Sequence, residues 1–120
     1  MDIESVFSYC QSIKGSEVST PFDDVTVVFK VCGKMFALIP TDAERHSINL
    51  KCDAKRAIEL RENYSWIEPG YHMSKIYWNT VYIDDATSDD LLKELIHHSV
   101  DEVIKKLPKK TQKEYYDKLG

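Results

Sequence analysis

Two apolar, β-rich runs separated by a two-residue break constrain the fold more than any other feature of this chain. The first run covers residues 25–32, the break is Gly33-Lys34, and the second run covers residues 35–40. β-Branched and aromatic residues suit a pleated sheet, and a two-residue connection that includes glycine is typical of a tight hairpin. The sequence therefore predicts an antiparallel β-hairpin over residues 25–40.

Helical and strand periodicities predict the other elements. Apolar residues at helical spacing indicate a helix over residues 3–14 with Asp2 as its cap, a short helix from Asp53 to about residue 63, and a long helix from residue 87 or 88 to residue 107. Alternating residues indicate strands over 47–52 and 75–83, and residues 111–119 suit a terminal helix. The order α-β-β-β-α-β-α plus a short C-terminal helix predicts one α+β domain over residues 1–120, an antiparallel sheet with helices packed on one face.

Two expectations concern burial. In the strand 47–52, Ile48, Leu50 and Cys52 should face the core, while Ser47, Asn49 and Lys51 should face water. The three cysteines, Cys10, Cys32 and Cys52, form no CxxC pair, and all three are expected to be free thiols on buried apolar faces.

Charge and hydropathy limit the class of protein. The chain has 120 residues, a net charge of −4 and no run of about 18 apolar residues, and its first residues, Met1-Asp2-Ile3-Glu4, do not form a basic and then apolar signal. We expect a soluble, cytoplasmic monomer without a membrane partner. The charge is uneven, because residues 81–104 hold seven acids and one base, whereas residues 105–120 hold six lysines and two acids.

No motif in the sequence requires catalysis. His72 has no second histidine or cysteine at ligand spacing, and His97-His98 are neighbours whose side chains would diverge on a helix. The aspartates between residues 84 and 90 lack the spacing of a calcium loop, and capping explains the later ones. We expect no enzyme activity, no metal and no cofactor.

The most unusual segment, residues 69–80, combines a Pro-Gly turn with aromatic, basic and amide side chains. Such residues suit base stacking and phosphate contact, but Tyr71, Tyr77 and Trp78 could equally pack the sheet. If Lys30, Lys51 and Lys75 lie on one sheet face with Asn49 and Asn79 between them, they form a basic patch of the kind that touches a phosphate backbone. The alternative is that these are solvated strand residues.

Several segments in order resemble the MmcQ/YjbR family of small bacterial proteins, also called the double-wing-motif family. They are Pro21-Phe22-Asp23-Asp24, residues 28–38, Ile48-Asn49-Leu50-Lys51-Cys52-Asp53, Pro69-Gly70-Tyr71-His72-Met73-Ser74-Lys75, Trp78-Asn79-Thr80-Val81, His98-Ser99 and residues 106–110. One departure is Asp23, where the family often has glycine.

The resemblance implies an α+β fold similar to bacterial frataxin and secretion chaperones, and a DNA-binding role in which two β-hairpins act as wings. The residues that would then contact DNA are Lys30, Lys34, Lys51, His72, Lys75 and Asn79. The acidic net charge predicts that DNA is bound only weakly at physiological salt. The rival hypothesis is a protein-interaction module that binds a peptide on the sheet face or at an edge strand.

Overall fold

The computed structural model describes residues 1–20, 25–70 and 73–117. Four helices and six strands follow one another as α1 (Ile3–Ser12), β1 (Glu17–Ser19), β2 (Thr26–Val31), β3 (Lys34–Pro40), β4 (Ser47–Lys51), α2 (Ala54–Asn63), β5 (Ile67–Pro69), β6 (Trp78–Tyr82), α3 (Asp89–Ile104) and α4 (Lys109–Asp117). All the predicted elements are present in the predicted order, so the α+β fold is confirmed. The additions, β1 and β5, are three residues long, which is too short for a sequence period to show.

The strands form one antiparallel sheet in the order β1-β2-β3-β4-β6-β5. The predicted hairpin forms the second and third strands of this order, and the two three-residue strands lie at the edges of the sheet. None of the helices in the described ranges is long and apolar enough to span a membrane.

The two faces of the sheet have different cover. On one face, Phe29, Ile48 and Val81 pack against residues of α1, α2 and α3 in one hydrophobic core. On the opposite face, which we call the open face, Val28, Leu38 and Trp78 form a second small cluster covered by Met35 and Met73. The predicted packing of the helices on one face is confirmed, and Trp78 is a packing residue.

The hairpin turn consists of Cys32 and Gly33, one residue earlier than the predicted break. Both residues have positive φ, 50° at Cys32 and 76° at Gly33. A type I′ turn needs this conformation at both central positions, because its twist then matches the strands. Cys32 is exposed, so the expectation of three buried cysteines is wrong at this position, where no neighbouring strand covers the side chain. Cys10 and Cys52 are buried, and burial raises the pKa of Cys10 to about 12 and that of Cys52 to about 11.

The prediction that Ser47 and Asn49 face water is also wrong. Both are buried on the open face, opposite the face on which the described helices pack. Asn49 lies between Leu38 and Thr80 of the adjacent strands, and the Thr80 hydroxyl donates a 2.6 Å hydrogen bond to its Oδ1. A central strand is covered by its neighbours on both sides, which alternation along one strand does not reveal.

Candidate nucleic-acid interface

One end of the sheet collects basic residues from separate segments of the chain. Because neighbouring strands are antiparallel, the β2–β3 turn, the last residue of β4 and the first residue of β6 lie at the same end; Val31 pairs with Lys34, and Lys51 pairs with Trp78. The loop before β6 and the C-terminal end of α3 reach this end as well. We call it the basic end and define it by Lys34, Lys51, Lys75, Lys105 and Lys106.

Ser99 of α3 fixes the geometry of the basic end. Strands β3 and β4 pair only at Ala37–Leu50 and Leu38–Asn49, so they separate toward Lys51. The fully buried Ser99 hydroxyl fills this gap, donating to the Phe36 carbonyl at 2.6 Å and accepting from the Lys51 backbone N–H at 2.9 Å. One side chain thus satisfies two strand groups that have lost their ladder partner and fixes α3 beside Lys51.

The last turn of α3 brings two further lysines close to Lys51. Glu102 lies one turn after Ser99 on the same side of α3, and Lys105 and Lys106 follow directly after the helix ends at Ile104. The pKa of Lys51 is lowered by partial burial and then by the positive charge of Lys106. The charges of Lys105 and Lys34 also lower it, whereas Glu102 raises it. Glu102 is itself paired with Lys105 at 2.6 Å. At the basic end the charges of Lys34, Lys105 and Lys106 therefore act on Lys51, whereas Glu102 raises the pKa of its partner Lys105.

The loop at residues 73–77 is held to the sheet by several contacts. The Arg61 guanidinium of α2 donates to the Asn79 Oδ1 at 2.6 Å and to the backbone carbonyls of Lys75 and Trp78. The Cys52 N–H donates to the Tyr77 carbonyl at 2.8 Å, which ties the loop to the end of β4. Arg61 is half-buried and positions the backbone of Lys75.

Gly70, directly after β5, lies at a point of close approach to β6. Its N–H donates to the Trp78 carbonyl at 2.8 Å. A Cβ at this position would lie 2.7 Å from the Trp78 Cβ and 3.0 Å from the Trp78 carbonyl oxygen, both part of β6. Only glycine allows the two backbones to approach this closely.

The predicted binding residues occupy different surroundings. Lys34 and Lys75 are exposed at the basic end, Lys51 is half-buried there, and Lys30 lies on the open face near the turn, opposite Glu17 of β1. Asn79 does not share a face with Asn49, because it pairs with Leu50 and its side chain donates toward the Ala57 carbonyl of α2. It is 2% exposed, so the expected patch does not include it. His72 and Tyr71 lie outside the described residues.

The opposite end of the molecule is acidic, and we call it the acidic end. Its carboxylates surround a wide depression of about 900 Å³ and belong to Asp2, Asp84, Asp85, Asp89 and Asp90. Several of them have clear structural roles. Asp2 accepts from the Ser5 N–H at 2.8 Å, which lowers its pKa, and Asp84 accepts from the Ala86 N–H at 2.9 Å. Asp89 and Asp90 lie in the first turn of α3, where negative charge complements the helix dipole.

His98 connects α3 to the start of α2 at the basic end. Its Nε2 accepts a hydrogen bond from the Asp53 N–H at 3.1 Å, so this nitrogen carries no proton. Burial and then the positive charge of Arg56 lower the pKa of His98. Asp53 in turn caps α2 by accepting from the Arg56 N–H at 3.1 Å. His98 and Ser99 therefore join α3 to the start of α2, to β3 and to β4, which is a structural role.

Comparison with known proteins assigns the chain to a family. The family model described as YjbR matches residues 11–101. The chain belongs to the YjbR family. It is 29% identical to the Escherichia coli K12 protein YjbR over 113 residues, covering 94% of this chain and 96% of that protein. It is 38% identical to the Escherichia coli O157:H7 protein YbdF over 97 residues, covering 81% of this chain and 80% of that protein.

Solved structures confirm the fold of this YjbR-family chain. A Deinococcus radiodurans crystal structure with the family-model domain DUF419 matches with a TM-score of 0.86 and 37% identity, covering 94% of this chain and 86% of that one. A Pseudomonas syringae structure matches with a TM-score of 0.75 and 23% identity, covering 86% of this chain and 99% of that one, which shows the fold alone.

Sequence reasoning missed Arg61, Lys105 and Lys106 as parts of this region. The spacing from Ser99 to Lys106 and the excess of lysine after residue 104 were signals for Lys106, but nothing in the sequence placed α3 beside β4. Arg61 looks like an ordinary surface position on an amphipathic helix, and only the approach of the 73–77 loop gives it partners.

Proposed function

We propose that this YjbR-family protein binds DNA through phosphate contacts at the basic end. The observation that carries the proposal is the separation of charge between the two ends, with lysines from β3, β4, the 73–77 loop and the end of α3 gathered at one of them. Lysine ammonium groups gathered at one surface can neutralise the phosphates of a nucleic-acid backbone. The β2–β3 turn and the loop before β6 correspond to the two wings that the family resemblance implies.

The state of the lysines supports the proposal. Among the residues described, neither Lys34 nor Lys51 has a carboxylate partner within ion-pair distance, whereas Lys105 forms an ion pair with Glu102. The positive charges of Lys34, Lys105 and Lys106 disfavour the ammonium form of Lys51, and Glu102 acts against them. A bound phosphate offsets these positive charges, so the arrangement favours an anionic ligand.

The second hypothesis is a peptide partner bound on the sheet, and the open face provides less support for it. Val28, Leu38 and Trp78 of that face already pack under Met35 and Met73. The edge strands β1 and β5 are three residues each, and Pro69 in β5 lacks an N–H donor. Strand addition would therefore rest on few backbone groups.

The test measures the salt dependence of binding to a fluorescently labelled duplex by anisotropy. If each lysine neutralises about one phosphate, the variant with Lys34, Lys51 and Lys75 all replaced by Ala should lower the slope of log affinity against log salt by about 2 to 3 units. Affinity for the wild-type protein should fall steeply between about 50 and about 200 mM salt.

Lys93→Ala is the matched control for the single variant Lys34→Ala, since each removes one positive charge. Lys93 lies on α3 beside Tyr9 and Asp2, away from the basic end. Lys34→Ala should lower the slope by about 1 unit and Lys93→Ala should leave it unchanged. Equal slopes for the wild type and the triple variant would overturn the proposal, and salt-insensitive binding of a peptide would favour the second hypothesis.

A further inference from the structure

Two large apolar side chains stand exposed on the 73–77 loop, directly after Lys75. Ile76 is 61% exposed and Tyr77 is 47% exposed, whereas the next residue, Trp78, is 8% exposed. The sequence left open whether the aromatic residues of this segment pack the sheet or contact a ligand. The structure divides them, because Trp78 fills the open-face cluster and Tyr77 faces solvent.

The backbone beneath these side chains is held firmly. Arg61 donates to the carbonyls on both sides of the pair, at Lys75 and Trp78, and the Cys52 N–H donates to the carbonyl of Tyr77 itself. The Lys75 ammonium reaches back toward the Gly70 carbonyl at 3.5 Å. Because the main chain is anchored in this way, a ligand that stacks on Tyr77 need not pay much to order the loop.

An exposed aromatic ring on an anchored loop beside lysines matches a particular chemistry. Single-stranded nucleic acids are bound by rings on which bases stack, combined with a basic groove that follows the backbone. In a duplex the bases are already stacked on one another and cannot use such a ring without being unstacked.

We propose that the nucleic acid bound at the basic end is single-stranded and that one of its unpaired bases stacks on the Tyr77 ring. Ile76 supports that base, and the phosphates contact Lys34, Lys51 and Lys75. This inference rests on the proposed function and names the class of nucleic acid that it concerns. The base supplies a flat apolar face, and the lysines supply affinity that does not depend on sequence.

The experiment compares a labelled oligothymidylate of about 15 nucleotides with a duplex of the same length, by anisotropy at low and moderate salt. The wild-type protein should bind the single strand more tightly than the duplex. Tyr77→Ala should weaken single-strand binding about five- to 100-fold and leave the salt slope unchanged, because stacking involves no counterion release. Tyr77→Phe keeps the ring and should remain within about twofold of the wild type.

Tyr64→Ala is the matched control. Tyr64 is a surface tyrosine, 37% exposed, that follows the last residue of α2 and packs against Trp66. It should leave both affinities unchanged. Thermal unfolding of each variant shows whether the fold is intact, and Tyr77→Phe keeps the test valid even if Tyr77→Ala is destabilised.

The results separate the two proposals. Duplex binding equal to or tighter than single-strand binding, or single-strand binding that Tyr77→Ala leaves unchanged, overturns the stacking inference and leaves phosphate binding in place. A salt slope that the triple lysine variant leaves unchanged overturns the proposed function, whichever strand is bound. A polyuridylate of equal length that binds as tightly as oligothymidylate supports the same stacking chemistry on RNA.

Discussion

The basic end and the acidic end use charge in opposite ways. At the acidic end Asp2 accepts a backbone N–H at the start of α1, Asp84 accepts one in the turn before α3, and Asp89 and Asp90 lie in the first turn of that helix. These charges stabilise the fold itself. At the basic end Lys34 and Lys51 have no carboxylate partner among the described residues, and the pKa of Lys51 is lowered partly by other lysines.

The difference shows that the role of a charged surface depends on the hydrogen-bond and ion-pair partners of its side chains. A cluster of acids at helix starts has a structural explanation, even though it surrounds a large depression. At the basic end Lys105 pairs with Glu102, but Lys34 and Lys51 have no carboxylate partner among the described residues that would explain their position. The basic end is therefore the better candidate for a binding surface.

The largest expected effect is a difference in stability between two serine variants, one at Ser99 in α3 and one at its N-cap, Ser88. Ser99→Ala at the basic end leaves the Phe36 carbonyl and the Lys51 N–H without their partner, and should lower the free energy of unfolding by about 2 to 4 kcal/mol. Ser88→Ala at the acidic end removes only the N-cap, whose hydroxyl accepts from the Leu91 N–H at 3.2 Å, and should cost about 1 kcal/mol. Chemical denaturation of both variants measures the difference. Equal losses would mean that Ser99 does not bridge the strands.

A smaller effect is expected at the turn of the basic end. Cys32 adopts φ 50°, a conformation that costs most side chains about 1 kcal/mol or more and that asparagine tolerates better. Cys32→Asn should therefore raise the free energy of unfolding by about 0.5 kcal/mol, as an Asn-Gly type I′ turn. Cys32→Val, with a branched side chain at the same place, should lower it. The two denaturation midpoints should move in opposite directions, and a shared direction would exclude turn strain as the cause.

The smallest effect is a pH dependence at the basic end. The pKa of His98 lies below its ordinary value of 6.5, so between these two values the unfolded chain binds more protons than the folded protein. The stabilisation from neutral His98 is therefore complete above about pH 6.5 and is lost as the pH falls through the lowered pKa. The charged groups that face His98 are Arg56, Glu102, Asp53 and Asp101.

His98→Gln should reduce this acid sensitivity, because a glutamine oxygen accepts from the Asp53 N–H without titrating. His97→Gln is the control, since His97 contacts the Tyr9 hydroxyl on the outer side of α3. Melting temperatures across pH 5 to 7, a window of about two units around the ordinary histidine value, measure the slope. An unchanged slope in His98→Gln would assign the acid sensitivity to other groups.

The residues that sequence reasoning placed correctly are those whose role is local. The caps Asp2 and Asp53, the N-terminal Ser88 and the long helix that follows it are set by interactions within four residues. The β2–β3 hairpin depends on two adjacent runs and its turn, and it was predicted to within one residue. The α+β class followed because the order of such elements limits how their apolar faces can be buried.

The errors concern contacts between segments that lie far apart in the chain. Asn49 looked exposed because alternation describes one strand, whereas its burial depends on β3 and β6 on either side. Asn79 was grouped with Asn49, yet the β4–β6 register sets them on opposite faces. A register shift of one residue exchanges the faces of a strand, and no residue inside the strand records which register its partner adopts.

By itself, the sequence determined the helices and longer strands of this protein, the β2–β3 hairpin and the excess of acid before residue 105 and of lysine after it. The tertiary structure alone decided that Lys34, Lys51, Lys75 and Lys106 share one end, that Ser99 bridges two strands, and that Tyr77 faces solvent while Trp78 is buried. The physical reason is range. Capping, periodicity and turn conformation act over a few residues, whereas the position of a lysine relative to another 55 residues away, as Lys51 is from Lys106, depends on how the whole sheet and its helices pack.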